Sequence, residues 1–253
     1  MLVRFSMIDS FLSCPKCFYS RYILGKEDQV KSSAAEFGSA LHAAIRAHFE
    51  DGDAYGVFNL YWDSLKDTEM IVYRYGWQEL RDLANNKFLP NFIKLHAKNF
   101  TNYKMEETIE MPLVLTNAEG HKDPLLGSHT LQGTFDMCGE YKGTLTLTDW
   151  KTSSNDYKPS RVHRNHQLYV YCALYRSKYG VLPKEVMYKT FVKSKGSIQT
   201  TSAPVTEFIL DLHLRNIEAI LKNMLRVIET KEIYTNYNCF NERCLDAMEN
   251  KTN

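Results

Sequence analysis

The sequence lacks any apolar run close to the ~20 residues of a membrane-spanning helix, and Met1-Leu2-Val3-Arg4 is not the basic-then-apolar start of a secretory leader. These absences lead to the expectation of a cytoplasmic chain with no membrane partner. Net charge is almost absent: 31 Lys and Arg against 30 Asp and Glu leave +1, so global charge does not announce a polyanion binder. No internal repeat or low-complexity segment stands out, which excludes a solenoid. Cysteine is sparse, with six residues, Cys14, Cys17, Cys138, Cys172, Cys239 and Cys244. In a reducing compartment these are thiols or metal ligands and not a disulfide framework. What remains is 253 residues, enough for one sizeable core, or for one domain with a helical insertion.

The periodicities give the element order. Ser6 followed by Asp9 reads as a capping pair opening a short helix through Leu12. A second helix is expected from Ser33 to about Glu50, with Phe37, Leu41, Ile45 and His48 on one face. Tyr55 to Phe100 is aromatic-rich and helical in period, with a stop expected near Pro90. Met105 to Leu115 reads as the first strand, and Arg164 to Tyr179 as a helix ended by Gly180. Glu185 to Lys193 alternates as a strand, and Thr206 opens a long helix with the stripe Leu210, Leu214, Ile217, Leu221, Leu225, Ile228. The order of helices, three strands, helix, strand and helix is that of an α/β core behind an N-terminal helical region.

Two of those strands, Leu131 to Glu140 and Thr144 to Ser153, meet at Lys142-Gly143. Glycine at the second loop position suits a two-residue type I′ turn, which needs positive φ there. That loop sets the register, so Glu140 faces Leu145, Cys138 faces Leu147 and Asp136 faces Asp149. Lys151, two residues on, shares their side. Two carboxylates that close repel. Either one of them protonates at a cost in stability, or a divalent cation lies between them and the ammonium serves the chemistry. Just beyond, the stretch from Lys151 to Lys195 carries ten Lys and Arg residues, Lys189 and Lys193 among them, against Asp156 and Glu185 alone. Such a run is an ordinary solvated face or a seat for an anionic polymer, and its place after the acidic pair favours the polymer.

At these residues the chain resembles the PD-(D/E)xK nuclease superfamily, in particular the RecB-like exonuclease branch. That branch includes the RecB and AddB nuclease domains, CRISPR-associated RecB-like nucleases and phage exonucleases. Gly133-Thr134-Phe135-Asp136 matches its Gly-x-x-Asp motif, with Phe135 where the superfamily's name has Pro. Asp149-Trp150-Lys151 matches (D/E)xK, Gln167 to Tyr171 matches QxxxY, and Ser39-Ala40-Leu41-His42 matches a helix with a metal-binding His. Ser10 to Pro15 resembles the N-terminal Cys-Pro signature. The resemblance implies a restriction-endonuclease-like mixed central sheet flanked by helices. It also implies one nuclease domain over 1–253: a helical part at 1–103, the core at 104–232 and a Cys-containing tail at 233–253.

By the same resemblance, His42, Asp136, Asp149 and the Trp150 backbone carbonyl hold Mg²⁺ or Mn²⁺, with Glu110 as a further candidate that could instead cap a strand edge. Lys151 orients or deprotonates the attacking water, or stabilises transition-state charge. Gln167 and Tyr171, one helical turn apart, clamp a DNA phosphate or Lys151, or pack in the core. Arg161, Arg164 and His166 add phosphate contacts. Cys14, Cys17, Cys239 and Cys244 could hold [4Fe–4S] or Zn²⁺ as four thiolates; the alternative is a Cys-Pro signature without a cluster and two incidental tail thiols. Cys138 and Cys172 read as packed core residues. The implied activity is a metal-dependent deoxyribonuclease, an exonuclease acting on linear or single-stranded DNA ends in recombination, repair or phage DNA metabolism. A phage-encoded chain works in the host-cell cytoplasm. With no helicase motif, a recombinase, an annealing protein or a helicase is the expected partner. The rival readings are a CRISPR-type nuclease with an iron–sulfur cluster, a catalytically inactive DNA-binding module, and an RNA or structure-specific endonuclease.

Overall fold

The computed structural model describes residues 1–26, 31–68, 70–71, 74–113, 129–236 and 239. In chain order it contains β1 (Leu2–Arg4), α1 (Phe5–Ser13), α2 (Pro15–Phe18), β2 (Lys31–Ser32), α3 (Ser33–Glu50), α4 (Ala54–Ser64) and β3 (Met70–Ile71). There follow α5 (Trp77–Leu83), α6 (Leu89–Asn91), β4 (Phe100–Leu113), β5 (His129–Tyr141), β6 (Thr144–Ser153), α7 (Pro159–His163) and α8 (His166–Tyr179). The chain continues with β7 (Glu185–Val192), β8 (Ser197–Pro204) and α9 (Glu207–Thr230). Six strands form one mixed sheet in the order β1-β5-β6-β7-β8, with β4 also on β5. Helices flank it, as the α/β reading requires. Strands β2 and β3 make a separate short parallel pair.

The chain divides into two compact units, residues 1–27, 109–133 and 207–253 in one and 28–108 with 134–206 in the other. In the first, the start of β5 pairs with β1 in parallel, Val3 opposite Leu131. Helix α1 begins at Phe5 on Arg4, an extended residue with no side-chain cap, so Ser6 does not cap it. The strand leads straight into the helix, one residue ahead of the expected cap. Helix α1 packs against α9. The buried face of α9 is Leu210, His213, Ile217, Leu221, Met224 and Val227. The expected stripe is therefore rotated: Leu214, Leu225 and Ile228 are only half-buried. His213, Met224 and Val227 replace them because a straight helix drifts against a fixed repeat of apolar letters.

In the second unit the core lies between α3–α6 and one face of the sheet. Phe37, Leu41 and Ile45 of α3 are buried there, with His48 at the edge. Around them pack the Trp62 and Trp77 rings, stacked at 4.1 Å, and Phe92 edge-on to Trp150 at 5.5 Å. Pro90 does not stop the chain's helical course. Helical turns run from Trp77 to Asn99, with π-turns at Ala84–Phe88 and Phe92–His96 on either side of the proline. A wider turn spares the carbonyl that a proline ring would strike in a regular α-helix.

The β5–β6 hairpin turns on Lys142 and Gly143 with φ of 52° and 81°, the two positive values a type I′ loop needs. Its ladder pairs Glu140 with Leu145, Cys138 with Leu147 and Met137 with Thr148. Gly139 admits strand β4: a Cβ there would lie 2.6 Å from the Tyr103 backbone. From β6 the chain crosses through α8 to β7, which pairs in parallel with β6, Asp149 opposite Tyr188. Asn165 caps α8 by accepting the Leu168 N–H at 3.2 Å, and Gly180 closes it with φ of 72°. Strand β8, absent from the sequence reading, is an edge strand whose letters Ser-Ile-Gln-Thr-Thr-Ser-Ala-Pro carry little apolar alternation.

Lys189 departs from both readings of the basic run, a solvated face or a seat for an anionic polymer. It is fully buried, its Nζ within 2.8 Å of Tyr141 Oη and Thr200 Oγ1 and 3.2 Å from His96 Nδ1. Burial first, then the charge of Lys142, lowers its pKa to about 7, and burial with the Lys189 charge lowers His96 to about 4. The unfolded chain binds this proton up to the ordinary lysine pKa of about 10.4. Stability therefore rises with pH from about 7 to 10, and falling pH loses that gain over the same window, leaving none of it below about 7. Replacing Lys189 by Met removes the titration. The expected result in urea unfolding is a wild-type minus variant difference that shifts towards wild type by about 1 kcal/mol per pH unit across that window. Parallel pH profiles for the two proteins would show that Lys189 stays charged in the folded state.

Candidate active site

The site forms where the β5–β6 ladder ends. Past the pair Met137–Thr148, the next free amide of β6, Trp150 N–H, donates to Asp136 Oδ2 at 2.7 Å. A carboxylate thus takes a backbone proton at the point where the strands part. The Trp150 carbonyl accepts from His42 Nε2 at 2.9 Å, and His42 Nδ1 is 3.5 Å from Asp136 Oδ1. Helix α3 brings this imidazole to the hairpin. Burial works against a charge on His42, but Asp136 and then Asp149 outweigh it and raise its pKa.

Glu106 is the third member of this group: one ligand atom each from His42, Glu106 and Asp136 lie within 4.8 Å of one another. Burial, then Asp136, raises the pKa of its carboxyl. Sequence reasoning named Glu110 instead. In the structure the Glu110 carboxylate accepts from Gln132 Nε2 at 2.5 Å, while Gln132 Oε1 accepts from Arg4 Nε at 2.8 Å. Strand β4 has φ of 48° at Asn102 and 49° at Glu106, left-handed residues that break its simple alternation. The acids at 106, 107 and 110 were visible in the sequence, but a choice among them needed that irregularity.

Asp149 is almost fully buried and lies beside Lys151, whose Nζ is 2.6 Å from its Oδ2. Burial pushes the Asp149 carboxyl up to about 6; Lys151 pulls the other way and Asp136 adds to the rise. Lys151 also loses hydration, yet Asp149 and Asp136 raise its pKa above the ordinary lysine value, so it carries a full charge. The ammonium donates to Gln167 Oε1 at 3.4 Å, and Gln167 Nε2 donates to Tyr171 Oη at 2.9 Å. Burial raises the Tyr171 phenol to about 12, so it stays protonated. Gln167 and Tyr171 are thus joined to Lys151 by a hydrogen-bond chain along one face of α8.

His42, Glu106, Asp136 and Lys151 line a groove of about 650 Å³, together with Gly38, Ser39 and Arg46 among others. Arg161 stands over the Tyr157 ring at 4.3 Å, and Arg161 and Arg164 are exposed. His166 is half-buried, its pKa lowered by burial. The donor set of carboxylates, one imidazole and one backbone carbonyl fits a hard divalent cation such as Mg²⁺ or Mn²⁺.

In the other unit Cys14, Cys17 and Cys239 come together, their sulfurs within 4.8 Å of one another and Cys17 Sγ 3.5 Å from Cys239 Sγ. The tail is tied to α1 and α2: Asn236 Nδ2 donates to the Leu12 and Ser13 carbonyls, and Lys16 N–H to that of Tyr234. Cys244 lies outside the described residues. Cys138 and Cys172 are buried, and burial raises both thiols, Cys138 to about 12.

Three comparisons bear on what this site is. No curated protein sequence matches the chain. The crystal structure of a candidate exonuclease from Eubacterium rectale superposes with a TM-score of 0.59 at 13% identity, over 96% of this chain and 86% of that one. At that identity the likeness speaks for the fold alone, a restriction-endonuclease-like mixed sheet flanked by helices. The crystal structure of SSO0001, with a TM-score of 0.33 at 14% identity over 87% of this chain and 86% of that one, superposes too loosely to bear on the fold. The PD-(D/E)XK nuclease superfamily's sequence model matches residues 5–245, nearly the whole chain, and the chain belongs to that superfamily.

Proposed function

We propose that this chain is a Mg²⁺- or Mn²⁺-dependent deoxyribonuclease, of exonuclease type and of the RecB-like branch, that hydrolyses DNA phosphodiesters from linear or single-stranded ends. The observation that carries the reading is the grouping of His42, Glu106, Asp136 and the Trp150 carbonyl beside the buried Asp149–Lys151 pair. His42, Glu106, Asp136, Asp149 and the Trp150 carbonyl would hold the cation. Bound there, it supplies Lewis-acid polarisation of the scissile phosphate and a lower pKa for the attacking water.

The chain's own groups do the rest. Lys151, kept charged by Asp149, offers an ammonium to the negative charge that grows on the phosphoryl oxygens. Gln167 and Tyr171 are positioning residues: they hold Lys151 at the groove through the amide. Arg161 and Arg164 present charge to flanking phosphates. The pathway reading is recombination, repair or phage DNA metabolism, with a recombinase, an annealing protein or a helicase as partner.

Cleavage of end-labelled linear and closed circular DNA tests this. Linear DNA should disappear in Mg²⁺ or Mn²⁺ and survive in EDTA, while circles persist. Lys151→Ala and Asp149→Ala should each lower kcat by about 10²–10⁴-fold. Gln167→Ala should cost less and be partly restored in Gln167→Glu, which keeps an acceptor for Lys151. DNA binding without cleavage under any metal would promote the inactive-module reading. Cut circles would point to an endonuclease.

A second reading concerns the thiols. We propose that Cys14, Cys17 and Cys239, with Cys244 as the fourth ligand, hold Zn²⁺ or [4Fe–4S]. Sulfurs around a tetrahedral zinc with bonds of about 2.3 Å stand about 3.8 Å apart, comparable with the 3.5 Å between Cys17 and Cys239. Elemental analysis of anaerobically purified protein should give stoichiometric zinc or iron. Cys17→Ser and Cys239→Ser should lose it and melt lower, whereas Cys138→Ser should retain the metal. Metal-free wild type that melts at the same temperature would leave the cysteines as packing residues.

A further inference from the structure

A second pocket, of about 220 Å³, lies at the N-terminal end of α3 and is lined by Ser33, Ala34, Arg74, Tyr75, Leu80, Ser154 and Lys193. Its chemistry is cationic. Lys193 is 8% exposed, and among the described residues its ammonium meets the Tyr75 ring, 5.5 Å from the centroid, and no carboxylate. Burial alone lowers its pKa, with no acid raising it. Tyr75 is 9% exposed, and its buried hydroxyl has no hydrogen-bond partner among the described residues. Arg74 adds an exposed guanidinium. Ser33 and Ala34 begin an 18-residue helix whose N-cap, Ser32, makes no side-chain cap. The first-turn acid Glu36 accepts the Tyr61 hydroxyl at 2.9 Å.

A desolvated ammonium without a counter-charge and an orphaned hydroxyl are both costly. One anion with several acceptor oxygens answers both, and open helix amides and a guanidinium add to its hold. The pocket shares its framework with the candidate active site. His42 lies eight residues along α3 from Ala34, about 12 Å. Ser154 lies three residues beyond Lys151 on the same stretch of chain, about 10 Å. At about 3.4 Å of axial rise per nucleotide this separation spans a few nucleotides of one strand.

We propose that this pocket is a phosphate-binding subsite that anchors the substrate strand a few nucleotides from the scissile bond, an inference that rests on the nuclease reading above. The phosphate is either a terminal phosphomonoester or an internal phosphodiester of that strand.

Two measurements, neither of which needs cleavage, test it. The first is melting of wild type, Lys193→Met and Arg74→Ala without metal, in inorganic phosphate against chloride at equal ionic strength. Phosphate should raise the wild-type Tm by several degrees and each variant's by much less. Met keeps the aliphatic contact with Tyr75, and the exposed Arg74 reports on the pocket even if Lys193→Met folds poorly. The second is oligonucleotide binding by anisotropy without metal. Each variant should weaken binding about tenfold, as for one lost charge-assisted contact. Each should also flatten the log Kd against log salt slope by about 0.7–0.9, which a purely structural role would not do. Loss confined to 5′-phosphorylated or 3′-phosphorylated strands identifies a terminal phosphate, and loss on every strand an internal one. Equal phosphate stabilisation of all three proteins, or unchanged strand affinity and salt slope in both variants, overturns the subsite. Failure to cleave DNA with both binding results intact counts against the nuclease reading alone.

Discussion

Negative charge crowded into a desolvated hairpin end is the constraint around which the candidate active site is arranged. Asp149 and Glu106 sit where burial raises the cost of a carboxylate charge, with Asp136 beside them. The chain offsets them with an imidazole from α3, an ammonium from β6 and the Trp150 amide. These groups come from α3 and from two adjacent residues of β6, so helix, hairpin and sheet must all be formed before the carboxylates are tolerable. A packed face of Phe37, Leu41 and Ile45 fixes α3 against the core. His42, next to Leu41 in sequence, is carried to the hairpin by that packing. The hydrophobic core and the polar site are thereby one construction problem.

The parts legible in the sequence are those governed by short-range rules. A two-residue loop with Gly143 dictates the hairpin register, and the ladder pairs Cys138 with Leu147 as those rules require. Helix α3 spans the expected Ser33 to Glu50, and Gly180 ends α8. Features decided by long-range packing were not legible. Glu106 is itself one of two left-handed residues in β4, which no alternation of letters announces. Strand β8 exists because β7 needs a partner on its outer edge, and its own polar letters do not call for one. Pro90 fails to break its helix because π-turns on both sides absorb it.

The two clusters with ligand chemistry are built separately. His42, Glu106, Asp136, Asp149 and Lys151 all belong to one compact unit, and Cys14, Cys17 and Cys239 to the other. No side chain is shared between them. Substitution in one leaves the other's first contacts intact.

Three lysines on neighbouring segments show how little composition says about charge. Lys151 sits against carboxylates, which hold its proton firmly. Lys189 sits among two hydroxyls and a neutral imidazole, in a space that favours the uncharged amine. Lys193 sits on an aromatic ring at the mouth of a cavity that has no acid among its lining residues. All three belong to the same basic run in the sequence, and a count of charges weighs them equally. What separates them is the partner each Nζ meets. Among the described residues, only in the third case is that partner set one negative group short, because a ring face attracts an ammonium more weakly than a carboxylate does.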